Sequence, residues 1–172
     1  IIQVFIMIKI IFTLFLFSLG VSNDQIPGEE QKRPIILKGG IIHTVSTDVF
    51  EGYDILFSKG KIVRIEKNIM ASPETDVYDV FGKHIIPGYI APITRLGLVE
   101  IGLVKQTRDF AERGSFNPNV KANVSYNPDS DLIPITRSNG VLVVNSVPAG
   151  GRISGQSSVM MLDGWTWEQA TL

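Results

Sequence analysis

The chain has no cysteine and only two histidines, His43 and His84, in 172 residues. The lack of cysteine excludes a disulfide framework, a zinc–thiolate site and thiol catalysis. Two histidines cannot by themselves build a histidine-rich metal centre. An excess of one charge is lacking too: 16 Lys and Arg against 17 Asp and Glu leave a net charge of −1. So balanced a chain has no overall attraction to nucleic acid, which is not an expected partner. There is no internal repeat and no Gly-Lys-Ser/Thr phosphate loop. What is present is a 44% hydrophobic composition with 16 Gly and 9 Pro, enough for an ordinary core with many turns. The length suits one domain or one and a half.

The chain opens on Ile1, and Met7 is its first methionine. Met7-Ile8-Lys9 reads as a short basic flank, Ile10 to Phe17 as an apolar run broken only by Thr13, and Ser18-Leu19-Gly20 and Gly20-Val21-Ser22 as small-residue cleavage spacings. Residues 1–22 are therefore expected to be a signal peptide. Lys9 argues against a membrane span, and the uncharged run from Ile10 to Val21 is shorter than the roughly 20 residues a span requires. The expected destination is the periplasm, the cell envelope or the exterior, with membrane contact only through this segment. Residues 23–33, with Pro27-Gly28 followed by Glu29 and Glu30, are expected to be a linker, disordered or a spacer.

From Pro34 the pattern becomes short apolar runs separated by turn residues. Ile35–Lys38, Ile41–Val45, Tyr53–Ser58, Lys61–Glu66, Val77–Phe81 and His84–Ile86 read as strands, with Gly39-Gly40 and Lys59-Gly60 as turns and Pro87-Gly88 as the stop. Such spacing predicts a small, mainly antiparallel β-sandwich over residues 34–88. Beyond it, Tyr89–Thr94 is a short apolar run. Asp129-Ser130-Asp131 marks a helix start, Leu132–Asn139 a helix and Gly140 the position just past its end. Val141–Val144 reads as a strand buried on both faces. Ser157–Leu162 is a further strand, and Trp165–Leu172 the start of a helix. Helix followed by buried strand opens an α/β layer.

Residues 81–97, Phe-Gly-Lys-His-Ile-Ile-Pro-Gly-Tyr-Ile-Ala-Pro-Ile-Thr-Arg-Leu-Gly, resemble the junction at which amidohydrolase-superfamily enzymes pass from a small β domain to the first strand of a metal-dependent (β/α) barrel. The Ile41–Val45 strand, the Asp54-Ile55-Leu56 … Gly60-Lys61-Ile62-Val63-Arg64-Ile65 hairpin and the Gly140-Val141 run match as well. The chain looks most similar to imidazolonepropionase-like members. The resemblance covers about residues 34–172 and implies a mixed α/β protein in which residues 89–172 hold the first units of an incomplete, truncated barrel. It implies hydrolysis of non-peptide carbon–nitrogen bonds, with zinc or another divalent metal as the usual cofactor of the family. In that family two histidines at alternate positions of the first barrel strand point into the mouth and hold the ion, which activates water. Here Ala91 stands at the family's Asp, and Ile93 and Arg95 stand at the two histidines. Isoleucine has no donor atom and arginine is a fixed cation. No metal or other cofactor is therefore expected in this chain, and no catalytic residue is assigned.

The remaining constellations read as structure. His43 and His84 are expected on separate strands of the β domain. Gly150-Gly151-Arg152-Ile153-Ser154-Gly155 could offer amides to an anion, but a plain mobile loop is the simpler reading. Glu100, Asp109 and Glu112 read as solvated surface. Trp165 and Trp167 read as packing anchors. Asn123-Val124-Ser125 spells a glycosylation sequon. Three functions compete: a hydrolase acting on a small molecule; a metal-free, catalytically inactive relative that binds a ligand or an envelope partner; and a scaffold that pairs with a second barrel half or with further copies of itself.

Overall fold

The computed structural model describes residues 26–172. The expected signal peptide, residues 1–22, lies outside the described residues. Of the expected linker, residues 26–33 are described, and they are fastened rather than loose. The Gln31 side chain donates to the Phe57 carbonyl at 3.0 Å and accepts from the Gly60 amide at 2.8 Å. Arg33 pairs with Asp76 at 2.9 Å and donates to the carbonyls of Pro73 and Glu74.

The first sheet holds β1 (Ile35–His43), β2 (Val49–Ser58), β3 (Lys61–Glu66), β4 (Asp76–Asp79) and β5 (His84–Ile85). Its order is β3-β2-β1-β4, with β5 also on β1. The antiparallel expectation describes β1, β2 and β3; β4 and β5 join β1 in parallel. The connection through residues 67–75 is long enough to carry the chain past β1, which a hairpin cannot do. Among the described residues this unit is a single sheet.

Gly39-Gly40 does not turn the chain. β1 runs straight through it, and the register against β2 shifts at Gly40. The pair is a β-bulge: Gly39 takes φ +73°, the left-handed region that an extra strand residue needs. Asp54, buried in β2, fixes the kink by accepting the Gly39 amide at 2.8 Å on one oxygen and the Ile69 amide at 2.8 Å on the other.

The second sheet holds β6 (Tyr89–Thr94), β7 (Val141–Ser146) and β8 (Ser158–Met161), in that order. Gly88 sets the junction between the sheets, since a Cβ there would lie 2.3 Å from Leu142 Cδ1 of β7. β6 and β7 are parallel and α1 (Leu132–Ser138) lies between them in the chain. Asp131 is the cap residue of α1 but gives no side-chain bond; the Ser130 carbonyl accepts the Ile133 amide at 3.0 Å. Pro134 sits in the first turn of α1, where a missing N–H costs nothing. Gly140 follows with φ +86°. β8 departs from the barrel expectation, because it is antiparallel to β7. The intervening residues 147–157 contain no helix, so the chain lacks the crossover that a parallel return requires. The parallel, barrel-like part is therefore β6 and β7 alone.

The core of this unit gathers Tyr126, Ile133, Val144, Met160, Leu162 and Ala170, with Leu96, Val141 and Trp167 packed against it. Burying Leu162 or Met160 in full stabilises the fold by about 1.5–3 kcal/mol each. Trp167 opens α2 (Trp167–Ala170) and anchors it, whereas Trp165 is 54% exposed and anchors nothing. Val141–Val144 is not buried throughout: Leu142 is 48% exposed, although Val144 and Ser146 on the same face are buried, and Val141 and Val143 on the other face are half-buried.

Candidate functional site

Parallel strands joined through a helix concentrate ligand-binding groups at their C-terminal ends. Here those ends are Thr94 of β6 and Ser146 of β7, joined by the Val147 amide donating to the Thr94 carbonyl at 2.9 Å. Ser146, fully buried, donates to the Leu96 carbonyl at 2.8 Å, and Asn145 donates to the Pro92 carbonyl at 3.1 Å. Pro92 lies in an outer strand, where its missing N–H breaks no ladder.

Two long loops build the rim. Residues 95–131 leave β6 and fold back on themselves through the Val99–Arg108 bridge and the Asp109 amide on the Leu98 carbonyl, 2.8 Å. Residues 147–157 leave β7 and lock onto the first loop through the Phe116–Ile153 and Lys121–Gln156 bridges. Amides in and beside the glycine-rich segment are largely spent on the first loop. The Arg152 and Ile153 amides both donate to the Ser115 carbonyl, the Ala149 amide donates to Phe110 and the Gln156 amide to Val120. The segment is not a free loop: a Cβ on Gly151 would meet the Ser115 backbone at 2.6 Å.

At the rim stand Arg95, directly after β6, and Phe110 and Arg108 of the returning loop. The Arg95 guanidinium lies 4.2 Å from the Phe110 ring centroid and that of Arg108 lies 5.2 Å from it. Neither arginine has a carboxylate partner among the described residues. Ile93 is 81% exposed on β6.

Of the three carboxylates expected on the surface, Glu100 is instead part of the scaffold. One oxygen accepts from Asn127 at 3.1 Å and the other from the buried Ser130 hydroxyl at 2.8 Å. Its negative charge, with burial as the larger cause, pushes the Tyr126 phenol up from 10.0 to about 12. The Tyr126 hydroxyl is buried without a hydrogen-bond partner. Asp109 and Glu112 are exposed, as expected. Asn123 of the sequon is half-buried and turned inward, its amide 3.5 Å from the Thr171 hydroxyl.

His43 and His84 lie on separate strands, as expected, yet the parallel β1–β5 pairing brings them together. His43 Nε2 and His84 Nδ1 are 2.8 Å apart, so one ring nitrogen donates and the other accepts. The pair sits beside an apolar groove lined by Ile42, Ile55, Phe57, Ile85 and Pro87. Spacing in the sequence held no sign of this contact, which depends on β5 returning parallel.

No family model matches the chain. Over 82 residues it is 34% identical to dihydropyrimidinase 1 of Caenorhabditis elegans and 33% identical to dihydropyrimidinase 1 of Caenorhabditis briggsae, which is 48% of this chain and 16% of either relative. An amidohydrolase of solved structure from Thermotoga maritima MSB8 superposes with a TM-score of 0.74 at 28% identity, covering 80% of this chain and 36% of that one. The chain is similar in sequence and fold to amidohydrolases. It corresponds to the N-terminal portion of such proteins, spanning 36% of the Thermotoga chain and 16% of the Caenorhabditis enzymes.

Within an amidohydrolase frame, the end of β6 is where the resemblance puts paired histidine ligands. The residues present do not fit a divalent ion. Ile93 offers no donor, and Arg95 brings a permanent positive charge stacked on Phe110. Among the described residues no three His, Cys, Asp or Glu side chains cluster as a metal site.

Proposed function

We propose that the chain contributes the N-terminal β unit and first parallel strand pair of an exported amidohydrolase that hydrolyses non-peptide carbon–nitrogen bonds. In this reading residues 1–22 are the signal peptide, 23–33 the linker, 34–88 the small β domain and 89–172 the start of the barrel. The observation that carries it is the superposition on the Thermotoga amidohydrolase over 80% of the chain, which takes in both sheets. The dihydropyrimidinase relatives make a small cyclic amide the first substrate class to assay. A second barrel half or further copies of the chain would complete the mouth.

One observation favours a second reading. With Ile93 and Arg95 at the family's ligand positions, the mouth suits a metal-free binding or scaffold relative. The test is to express the uninterrupted reading frame that contains this chain and to assay ring opening of dihydrouracil and hydantoin, with added zinc and with chelator. Turnover abolished by mutating the complete protein's own ionisable mouth residues supports the hydrolase. A folded protein that binds these amides without turnover supports the second reading.

A further inference from the structure

We propose that the rim of β6 and β7 is a carboxylate-binding site in which Arg95 and Arg108 hold the anion and Phe110 positions them. The site deepens the functional reading above and rests on it for the choice of ligand. Three observations carry it. First, two guanidinium groups lie within 5.2 Å of one ring centroid with no carboxylate partner among the described residues. Two cations gathered on one ring repel each other, and an anion between or beside them removes that repulsion. Second, the ring is fixed to the end of β7, because the Phe110 carbonyl accepts the Ala149 amide at 2.7 Å, while Arg95 follows β6 directly. The cluster thus spans the ends of both parallel strands, where such sheets bind ligands. Third, the carboxylates nearest along the chain do not pair with the arginines: Glu100 is held by Asn127 and Ser130, and neither Asp109 nor Glu112 forms an ion pair with Arg95 or Arg108 among the described residues.

The planar fork of arginine matches a carboxylate through two parallel N–H···O bonds. Stacking on Phe110 leaves the edge of each guanidinium, where its N–H groups point, available to such a ligand. Carboxylate is also the anion that the proposed reaction generates. Water adds its oxygen to the amide carbon, the C–N bond breaks, the nitrogen takes one of the water's protons, the other passes to solvent, and the acyl fragment leaves as RCOO⁻. The arginine pair would hold the acid end of substrate or product at the mouth.

The test is a titration of the 172-residue chain at constant ionic strength, followed through the arginine Nε–H resonances. The probes are succinate, its neutral analogue succinamide, and inorganic phosphate. Succinate is expected to shift the Arg95 and Arg108 signals, succinamide to leave them unmoved, and phosphate to bind more weakly than succinate. R95Q and R108Q should each weaken succinate binding about fivefold or more. R95K, which keeps the charge and loses the fork, should fall between R95Q and the wild type, and it serves in place of any glutamine variant that fails to fold. F110L should weaken binding while leaving both charges in place. R64Q, on β3, should bind like the wild type. Succinate binding unchanged in R95Q and R108Q, equal binding of succinamide, or tighter binding of phosphate would each overturn the assignment. Because no turnover is read, a failure here leaves the hydrolase proposal standing. An inactive complete protein that still binds succinate would sink that proposal alone.

Discussion

The Asp54 carboxylate holds the Gly39 amide at 2.8 Å across the β1 bulge, and its second oxygen holds Ile69. Both contacts are out of water, with Asp54 only 2% exposed. Replacing Asp54 with Ala leaves two amides without partners, at a cost of about 2–4 kcal/mol in total. D54N keeps one acceptor oxygen and should fall between D54A and the wild type. Urea unfolding of the three proteins checks the order; equal midpoints would show that the clamp contributes nothing.

Gly97 is locked against Tyr126. Its φ is +75°, and a Cβ there would lie 2.3 Å from Tyr126 Cε2. G97A combines a strained backbone with a clash, and the expected loss is on the order of 2–4 kcal/mol. A second substitution, Y126L, should recover part of that loss in the double variant. Strict additivity of the two effects would mean that they do not touch.

The Tyr126 phenol makes stability fall at alkaline pH. Its folded value is raised from 10.0 to about 12 by burial first and by Glu100 second. Between those values the unfolded chain has lost the proton and the folded chain still holds it, so stability decreases with rising pH. The contribution is whole below pH 10 and is lost by about pH 12, on the order of 2 kcal/mol. Y126F should remove this part of the pH dependence. It should cost little near neutrality, since the hydroxyl has no partner to lose. Stability measured at pH 8 to 11.5 for both proteins would decide; parallel curves would refute the assignment.

Histidines introduced as I93H and R95H should create weak zinc affinity at most. Two imidazoles at and just past the end of β6 fall short of the three protein ligands a catalytic zinc takes. Isothermal titration with zinc checks this, and a tightly held ion at one per chain would contradict it.

Residues 1–22 are proposed as an export tract. A C-terminally tagged chain should be recovered outside the cytoplasm with a new N-terminus near residue 22. Intact, soluble cytosolic protein beginning at Ile1 would count against the proposal.

The strand runs and the Pro87-Gly88 junction were legible because alternation and turn residues are local signals. Ile93 and Arg95 could be placed because the junction motif numbers the strand that follows it. What escaped depended on distant partners. Asp54 and Glu100 look like ordinary acidic residues until the fold brings Gly39, Ile69, Asn127 and Ser130 to them. Gly39-Gly40 was read as a turn because a turn and a bulge both call for a left-handed glycine. The direction of β8 could not be read because Ser157–Leu162 has the same composition whichever way it pairs. The Arg95–Phe110–Arg108 stack joins a strand end to the far side of a long loop, and no spacing rule reaches that distance.

Residues 28–33 are fastened to both sheets: Gln31 to the β2–β3 hairpin, Arg33 to β4, and the Gly28 amide to Asp163 at 3.1 Å, a separation of 135 residues along the chain. Contacts of such high contact order form late, because the whole intervening loop must close first. During synthesis, the Gly28 amide must wait for nearly all the rest of the described chain before Asp163 reaches it. The first sheet can therefore fasten Gln31 and Arg33 early, while the Gly28 contact closes last and ties the start of the described chain to the far end of the second sheet.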